Sequence, residues 1–434
     1  MSSLPSLNSV VTCLSDYDPE SLRVSQAIQI VQNFVRPAAQ TLEAETVNIY
    51  EALGRVLAQD IISPINVPSA DNSAMDGYAF AGSSISSADT TTLNIIGKGF
   101  AGNAFTGQVE TGQCVRIMTG AVMPPGCDTT IPQEMVEVDG ETIRFRSNIV
   151  RAGDNRRLKG EDLKEGSAAL AAGKIIRPAD LGLIASLGIG SVSVKRRLRV
   201  GFFSTGDELR SIGQTLDEGC VYDSNRYTLF GMLSRLGVEL HDFGVVRDDP
   251  VIMRETFSKA AAMCDAVITS GGVSVGEADY TKQIMRELGD VNFWKIAMRP
   301  GRPMAFGSIK NEGESKHSAV LFGLPGNPVA VMVTFYQFVR NALLCMSGAT
   351  ECAPPMMQAK TIEAIRKRPG RTEFQRGILS IDETGARTVR ITGAQGSGVL
   401  RSMSEADCFI VLDHDQDQIK AGDTVGVVLF EGLV

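Results

Sequence analysis

Apolar runs alternate with amphipathic stretches between residues 198 and 345. The apolar runs are typical of strands buried on both faces, and the stretches between them repeat apolar residues at helical spacing. The predicted strands are residues 199–204, 238–246, 265–269 and 319–322, and the predicted helices are residues 226–236, 251–263, 280–288 and 328–345. This alternation predicts a doubly wound, mostly parallel sheet.

The first helical pattern lies near the N-terminus. Apolar residues from Ala27 to Phe34 recur at helical spacing, which predicts a helix that Ser25 caps and Pro37 ends. A further helix is predicted at residues 51–59.

Glycine-divided runs of β-prone residues follow this helical region and also end the chain. Such runs predict strands at residues 93–96, 113–118 and 141–145, a helix at residues 178–187, and hairpins at residues 377–391 and 419–430. The hairpins indicate a small C-terminal β-barrel or sandwich.

These patterns predict a multidomain α/β protein with four domains. They are an elongated helical and extended dimerisation domain (residues 20–62 and 163–197), a β-rich insertion (63–162), the α/β domain (198–348) and a C-terminal β domain (349–434). Residues 353–355 read as the linker before the last domain.

Composition and charge exclude several classes of protein. The chain has 434 residues, 43% hydrophobic and 21% charged, with a net charge of -8, which argues against disorder and against a nucleic-acid partner. Its eight cysteines include no CxxC pair and only three histidines occur, so no zinc site is predicted. No basic leader and no apolar stretch of roughly 20 residues is evident. We therefore expect a cytoplasmic protein.

Two loops predict an anion site at the carboxyl ends of the strands. The first follows residues 265–269 and contains Gly271, Gly272, Ser274 and Gly276; glycines there let backbone N–H groups approach an anion closely. A tight turn would explain one glycine pair, but not three glycines, two serines and a terminal acid together. The second loop contains Pro325, Asn327 and Pro328 and also opens a helix. Two such loops favour a two-ended ligand.

Acidic residues are expected at the same edge. They are Asp207, Glu208, Asp248, Asp249 and Asp279. Carboxylates would repel a phosphate-bearing ligand unless a hard cation lies between them, so we infer Mg²⁺. Helix capping is the simpler role for Asp207 and Asp249.

Cationic side chains follow in an otherwise apolar stretch. Lys295 and Arg299 are four residues apart, and Arg302 comes shortly after. A solvated charge pair would explain the spacing equally well. Arginine also offers forked donors to an oxyanion.

Residues 69–79, SADNSAMDGYA, resemble the signature of the MoeA-type molybdopterin molybdotransferases, which also form the E domain of gephyrin-like proteins. Further matching strings follow in order at residues 116–121, 160–162, 204–208, 247–250, 271–279, 324–328, 374–377 and 395–397. The resemblance covers roughly residues 20–434.

The resemblance implies a homodimer that inserts molybdate into adenylylated molybdopterin with Mg²⁺-dependent release of AMP. It places the active site between the α/β domain of one subunit and the β-rich insertion of the other. The implied catalytic residues are Asp71, Thr119 and Asp162 on the insertion and Glu208, Asp248 and Asp279 on the α/β domain, the last three also being the metal ligands.

By the same resemblance Lys295, Arg299, Arg376 and Ser397 hold anionic groups. Arg299 and Arg302 stand where the family often has lysine, so hydrogen-bond geometry at the molybdate site is expected to differ. Either water or molybdate is compatible with the sequence as the nucleophile, oriented by Asp248 or Glu208.

Two other functions fit parts of the sequence. The glycine loop is also similar to that of molybdopterin adenylyltransferases, which consist of little more than the α/β domain. A gephyrin-like dimeric scaffold is the non-enzymatic alternative. The flanking domains and the complete acidic set favour the transferase, with transient contact to an adenylyltransferase and to acceptor molybdoenzymes.

Overall fold

The computed structural model describes residues 4–12, 17–273, 279–310 and 317–430. Its helices are α1 Leu7–Val11, α2 Val24–Thr41, α3 Pro178–Ser186, α4 Ser224–Arg235, α5 Pro250–Met263, α6 Asp279–Leu288, α7 Pro328–Thr334, α8 Arg340–Met346 and α9 Arg401–Glu405.

The strands before the α/β region are short, apart from one of ten residues. They are β1 Ala44–Asn48, β2 Ile61–Ile62, β3 Asn72–Ser73, β4 Gly77–Phe80, β5 Thr90–Gly99, β6 Gln113–Ile117, β7 Thr129–Pro132, β8 Glu137–Asp139, β9 Thr142–Arg146, β10 Arg156–Arg157, β11 Ala168–Leu170 and β12 Ser191–Lys195.

The remaining strands form the α/β sheet, a small two-stranded ladder and the C-terminal domain. They are β13 Arg199–Thr205, β14 Leu209–Arg210, β15 Val221–Tyr222, β16 Glu239–Val246, β17 Ala266–Ser270, β18 Gly289–Lys295, β19 Met298–Arg299, β20 Pro303–Lys310, β21 Ser318–Leu324, β22 Met357–Thr361, β23 Thr372–Ile381, β24 Arg387–Ile391, β25 Cys408–Leu412 and β26 Thr424–Leu429.

The chain divides into two compact units. Unit 1 comprises residues 1–59, 172–178 and 191–434, and unit 2 comprises residues 60–171 and 179–190. This division is coarser than the four predicted domains, whose boundaries stay a prediction.

Unit 1 contains the predicted α/β sheet. Its strand order is β16-β13-β17-β21-β20-β18. The first four strands are parallel, β20 runs antiparallel to β21, and β18 runs antiparallel to β20. Apolar residues fill both faces, with Phe202 in one core cluster and its neighbour Phe203 in the other. This alternation explains why the strands read as continuous apolar runs.

The helix from α7 to α8 is the most apolar in unit 1. A π-helical turn at Phe335–Val339 joins the two segments. Pro328–Met346 is long and apolar enough to cross a membrane, but 78% of it is buried inside the protein, as in a core helix.

The end of unit 1 is a closed five-stranded barrel. Strands β23-β24-β22-β26-β25 pair in that order, and a further pairing between β25 and β23 closes the ring. The predicted hairpin at residues 377–391 is confirmed as β23 and β24. The prediction of a hairpin at residues 419–430 is wrong. Strand β26 pairs with β22 and β25, and Ile419 forms backbone hydrogen bonds with Ile365.

Unit 2 is rich in β-structure, as predicted. Its main sheet has the order β7-β4-β6-β5-β9-β8, and two shorter ladders pair β2 with β11 and β3 with β10. Tyr78, Phe80, Leu93, Ile131 and Ile143 form its core.

Two predictions near the N-terminus are wrong. Helix α2 begins at Val24 after the N-cap residue Arg23 and continues through Pro37 to Thr41. Burial of the apolar face on both sides of the proline outweighs the one lost hydrogen bond. The helix predicted at residues 51–59 is absent from the described structure. Gly54 has a φ of 73° in a turn, and its N–H donates to the Ile176 carbonyl oxygen. Isolated bridges from Val56 and Leu57 follow this turn.

Candidate active site

The glycine loop begins directly after β17, at the carboxyl end of a buried strand. Gly271 and Gly272 have φ angles of 95° and 68°, which glycine adopts without steric cost. A Cβ on Gly271 would lie 2.6 Å from the Thr205 carbonyl oxygen, so close strand packing also requires glycine. The predicted ligand residues Ser274 and Gly276 lie outside the described residues.

The second loop, residues 325–328, lies beside the first. Ser270 and Leu324 are register partners, so β17 and β21 end at the same level. The N–H of Gly271 donates to the Leu324 carbonyl oxygen at 3.1 Å. Pro328 is the first residue of α7, where its missing N–H costs no helical hydrogen bond. The structure therefore brings the two predicted loops together.

Three carboxylates lie close together after β13 and β16. The N–H of Asp248 donates to Asp207 Oδ1 at 3.3 Å, and Glu208 folds back over Gly206. Partial burial and the charges of Asp207 and Glu208 raise the pKa of Asp248, although its side chain reaches solvent. Across the described part of the chain, no lysine or arginine forms an ion pair with any of the three. This cluster carries uncompensated negative charge.

The predicted metal ligands are only partly assembled. Glu208 and Asp248 belong to this cluster, whereas Asp279 is the first residue of α6 and its side chain lies outside the description. Among the described residues, no group of three or more His, Cys, Asp or Glu side chains has the arrangement of a metal site. The ligand set stays a prediction.

A cavity of about 420 Å³ connects the second loop to the barrel within unit 1. Its lining includes Pro325, Asn327 and Ser397 together with three arginines, Arg299, Arg302 and Arg371. In the described structure, neither Arg299 nor Arg371 has a carboxylate partner. Such unpaired guanidinium groups are suited to an anionic ligand.

Arg376 is a deeply buried cation of this region, with 1% of its surface exposed, as is Lys367. Its Nε donates to Ser402 Oγ at 3.1 Å and its Nη2 donates to the Gly396 carbonyl oxygen at 3.2 Å. Burial and the neighbouring Arg299 lower the pKa of Arg376 to about 10. Arg376 lines a second cavity of about 720 Å³, which shares Arg299 and Arg371 with the first.

Lys295 is placed differently from the arginines. It ends β18 and forms an ion pair with Glu20. Lys295 is not among the residues that line either cavity. The backbone carbonyl oxygen of Glu20 also accepts from Arg302 Nη2 at 3.2 Å. Glu20 in the N-terminal segment therefore contacts two of the predicted cationic side chains, Lys295 and Arg302.

The predicted acids of unit 2 are held by hydrogen bonds. Asp71 accepts from the Lys159 N–H at 2.8 Å and lies 3.7 Å from Arg156 Nη1. Asp162 is exposed, and its N–H donates to the Val67 carbonyl oxygen.

Thr119 has a carboxylate partner in unit 2. Its N–H and its hydroxyl both donate to Asp76 Oδ1 at 2.7 Å. These two hydrogen bonds lower the pKa of Asp76. Thr119 thus fixes an ionised carboxylate in the signature segment.

Three family models together match most of the chain. They describe the MoeA N-terminal region (domain I and II) at residues 22–188, a probable molybdopterin binding domain at residues 201–344, and the MoeA C-terminal region (domain IV) at residues 358–430. A molybdopterin molybdenumtransferase of Haemophilus influenzae is 44% identical over 394 residues, covering 90% of this chain and 95% of that protein. The chain belongs to the molybdopterin molybdenumtransferase family.

Further members of the molybdenumtransferase family agree with this assignment. The protein of that name from Nostoc is 33% identical over 410 residues, which cover 93% of both chains. The solved structure of the molybdopterin biosynthesis MoeA protein from Pyrococcus horikoshii OT3 matches with a TM-score of 0.77 at 29% identity, covering 95% of this chain and 100% of that one. The predicted family and fold class are confirmed.

Sequence reasoning missed several polar residues of this molybdenumtransferase-family site. Asp76 lies inside the quoted signature, and Arg371 lies in the basic run RKRPGR, so both left a signal in the sequence. Glu20, Asp223 and Asn225 left none, because their significance depends on contacts with residues distant in the chain.

Proposed function

We propose that this chain inserts molybdate into adenylylated molybdopterin and releases AMP, completing the molybdenum cofactor. The family is one of transferases in molybdenum-cofactor biosynthesis. The observation that carries the finer proposal is the 420 Å³ cavity, which joins the second loop to Arg299 and Arg371. A single ligand with phosphate at one end and an oxyanion at the other would fit this distribution of donors.

The two loops would bind the phosphate-bearing half of the substrate. Gly271 and Gly272 bring backbone close to the strand ends, and the neighbouring loop begins α7. Backbone N–H groups at such a turn stabilise phosphate oxygens without a side chain between them. Because glycine has no side chain, the phosphate can approach the backbone closely.

Arg299, Arg376 and Ser397 would bind molybdate. Arg376 is buried and uses two of its N–H groups on Ser402 and Gly396, which leaves donors for a tetrahedral dianion. Low local polarity strengthens such a charge-assisted contact. Lys295 would join the site only when its pair with Glu20 opens.

The acidic cluster fits a hard cation. Burial, and then the charges of Asp207 and Glu208, raise the pKa of Asp248 and so disfavour its charged form, and oxygen donors of this kind suit Mg²⁺. We propose Glu208, Asp248 and Asp279 as its ligands. Bound Mg²⁺ would supply neutralisation of the phosphoanhydride charge.

One carboxylate of this cluster also has a second role in the proposal. A carboxylate beside the phosphoanhydride can orient the attacking oxygen by hydrogen bonding. We assign this orienting role to Asp248 or Glu208, whether the attacking oxygen belongs to water or to molybdate.

The acids of unit 2 complete the proposal. Asp71, Thr119 and Asp162 are proposed to act from a second subunit, in a homodimer whose active site includes both chains. The hydrogen bonds that fix Asp71 and Asp76 give a preorganised acidic surface for this role. We further propose a cytoplasmic location and transient contacts with an adenylyltransferase and with acceptor molybdoenzymes.

Reconstitution of a molybdenum-free acceptor enzyme tests the proposal. Purified protein, adenylylated molybdopterin, Mg²⁺ and molybdate should together activate the acceptor, and omission of molybdate should prevent activation. Conversion of molybdopterin and ATP into the adenylylated form would instead establish an adenylyltransferase. Inactivity in both assays would leave the dimeric scaffold.

A further inference from the structure

A chain of buried hydroxyl groups runs from the glycine loop to the start of α4. Ser270 Oγ donates to Ser204 Oγ at 3.1 Å, and Ser204 Oγ donates to Asp223 Oδ1 at 2.9 Å. The three residues are 1%, 0% and 2% exposed. The residue that opens the ligand loop is therefore tied, through one serine, to a carboxylate on another element.

The carboxylate sets the direction of this chain. An ionised aspartate can only accept, so the Ser204 hydrogen must point to Asp223, and Ser204 can then only accept from Ser270. The Ser270 hydrogen is thereby fixed inward. An uncharged amide in place of the carboxylate would allow the opposite direction as well.

Asn225 ties the second ligand loop to the same helix. Its Nδ2 donates to the Gly326 carbonyl oxygen at 2.7 Å, and the residue is 8% exposed. A Cβ on Gly326 would lie only 3.9 Å from the Cα of Gly271. The start of α4 therefore holds both loops where they meet.

Helix capping alone does not account for Asp223. Its Oδ1 accepts from the Arg226 N–H as a cap should, but its Oδ2 is buried without a hydrogen-bond partner in the described structure. Arg226 pairs with Asp242 instead. Burying a carboxylate that is only half satisfied is unfavourable, and capping does not require it.

Asp249 shows what capping requires. It is the N-cap of α5 on the same sheet and accepts from the N–H groups of Val251 and Ile252 at 2.8 and 3.0 Å. Asp249 is exposed. The two aspartates share the capping role and differ in burial and in the serine chain.

We infer that Asp223 is a positioning residue that, with Asn225, fixes the two ligand loops for adenylylated molybdopterin. This inference rests on the proposed function for its substrate. Asp223 touches neither molybdate nor the reacting atoms; it acts through Ser204 and Ser270 on the loop that binds the phosphate-bearing half.

Steady-state kinetics with Asp223→Asn and the matched control Asp249→Asn test the inference, because asparagine keeps both caps. Asp223→Asn should raise the KM for adenylylated molybdopterin about tenfold, roughly the effect of one charge-assisted hydrogen bond. Its kcat and its KM for molybdate should stay within about twofold of wild type. An unchanged KM, or equal changes in the two variants, would overturn the inference.

Hydrogen–deuterium exchange of the ligand-free protein separates positioning from the proposed function. Asp223→Asn and Asn225→Ala should speed exchange at residues 270–272 and 324–327, whereas Asp249→Asn should affect only the first turn of α5. Loops with wild-type exchange in both variants would overturn the positioning role. A wild-type protein inactive in the kinetic assay would instead refute the proposed function, while the exchange result would still decide the loops.

Discussion

Two candidate-site charges of unit 1 are held in a different way from two acids of unit 2. In unit 2, Asp71 and Asp76 each accept hydrogen bonds from nearby backbone, and the pKa of Asp76 is lowered. In unit 1, Asp248 lies among other carboxylates with a raised pKa, and Arg376 is a buried cation with a lowered pKa. Asp71 and Asp76 are thus held by hydrogen bonds, whereas burial and neighbouring like charges disfavour the charged forms of Asp248 and Arg376.

This difference indicates where ligands bind. A fold tolerates charges that destabilise it where they serve function, and strongly perturbed groups cluster at functional sites. The charges of Asp248 and Arg376 in unit 1 should therefore contribute to activity at the expense of stability. The unit 2 charges should contribute to stability as well as to the site.

Asp248→Asn should have the largest effect. Loss of the proposed metal ligand should lower AMP release about 100-fold or more. The same change relieves repulsion from Asp207 and Glu208, so the melting temperature should rise. Activity and thermal unfolding of one preparation measure both; a variant that is less stable than wild type would contradict the contrast between the units.

Arg376→Gln should follow in size. The half-saturating concentration of molybdate should rise about 10- to 100-fold, because a charge-assisted contact in a buried setting is lost. Arg401→Gln, which removes an exposed cation paired with Glu405, is the control and should leave that concentration unchanged. Molybdate titration of AMP release measures the effect; equal behaviour of the two variants would exclude Arg376 from the molybdate site.

The pH dependence of stability should have opposite signs at the two acidic sites. A carboxyl whose pKa is raised by folding loses stability as pH rises from the ordinary value, about 3.9, through the folded value. The stability difference between Asp248→Asn and wild type should therefore be largest near neutral pH and vanish in acid. Denaturant unfolding at several pH values checks this, and a difference independent of pH would contradict a carboxylate disfavoured by burial and by its acidic neighbours.

Thr119→Val should have a smaller effect of the opposite sign. It removes one of the two donors that lower the pKa of Asp76, so the variant should be less stable at neutral pH. The stabilisation is present above the ordinary carboxyl pKa and is lost as pH falls through the lowered folded value. The variant and wild type should thus converge in acid; Thr142→Val, whose hydroxyl donates to a backbone carbonyl oxygen, serves as the control without pH dependence.

Glu20→Gln should have the smallest effect and should improve binding. Freeing Lys295 from an exposed ion pair should lower the half-saturating molybdate concentration about two- to fivefold. Glu43→Gln breaks an exposed pair with Arg196 and should leave binding unchanged. Weaker molybdate binding in Glu20→Gln would show that the Glu20 pair supports the site.

The α/β core could be predicted from sequence because its strands are buried on both faces. Strands such as β13 and β17 are apolar on both faces, so their sequence does not show the amphipathic pattern of a helix. Glycine turns mark their ends. Strands β18 and β20 were missed because they mix apolar and polar residues. The course of residues 51–59 could not be predicted, since Gly54, Leu57 and Ala58 donate their backbone hydrogen bonds to residues 176, 174 and 193, far along the chain.

The candidate site was predictable in its loops and less so in its charges. Glycines and prolines act locally, so residues 271–272 and 325–328 could be placed at the strand ends from sequence. Whether a charged side chain is paired depends on which residue the fold places beside it. Glu20 and Lys295 are 275 residues apart, and no local pattern predicts that pair.

The rate of AMP release from adenylylated molybdopterin, measured against molybdate concentration with Mg²⁺ present, tests the central claim most directly. Because the unpaired charges of unit 1 bind molybdate in this account, the rate of AMP release should rise with molybdate concentration and then saturate. The half-saturating molybdate concentration should be higher in Arg376→Gln than in wild type. Release that is absent, or that proceeds equally without molybdate in both proteins, would contradict the account.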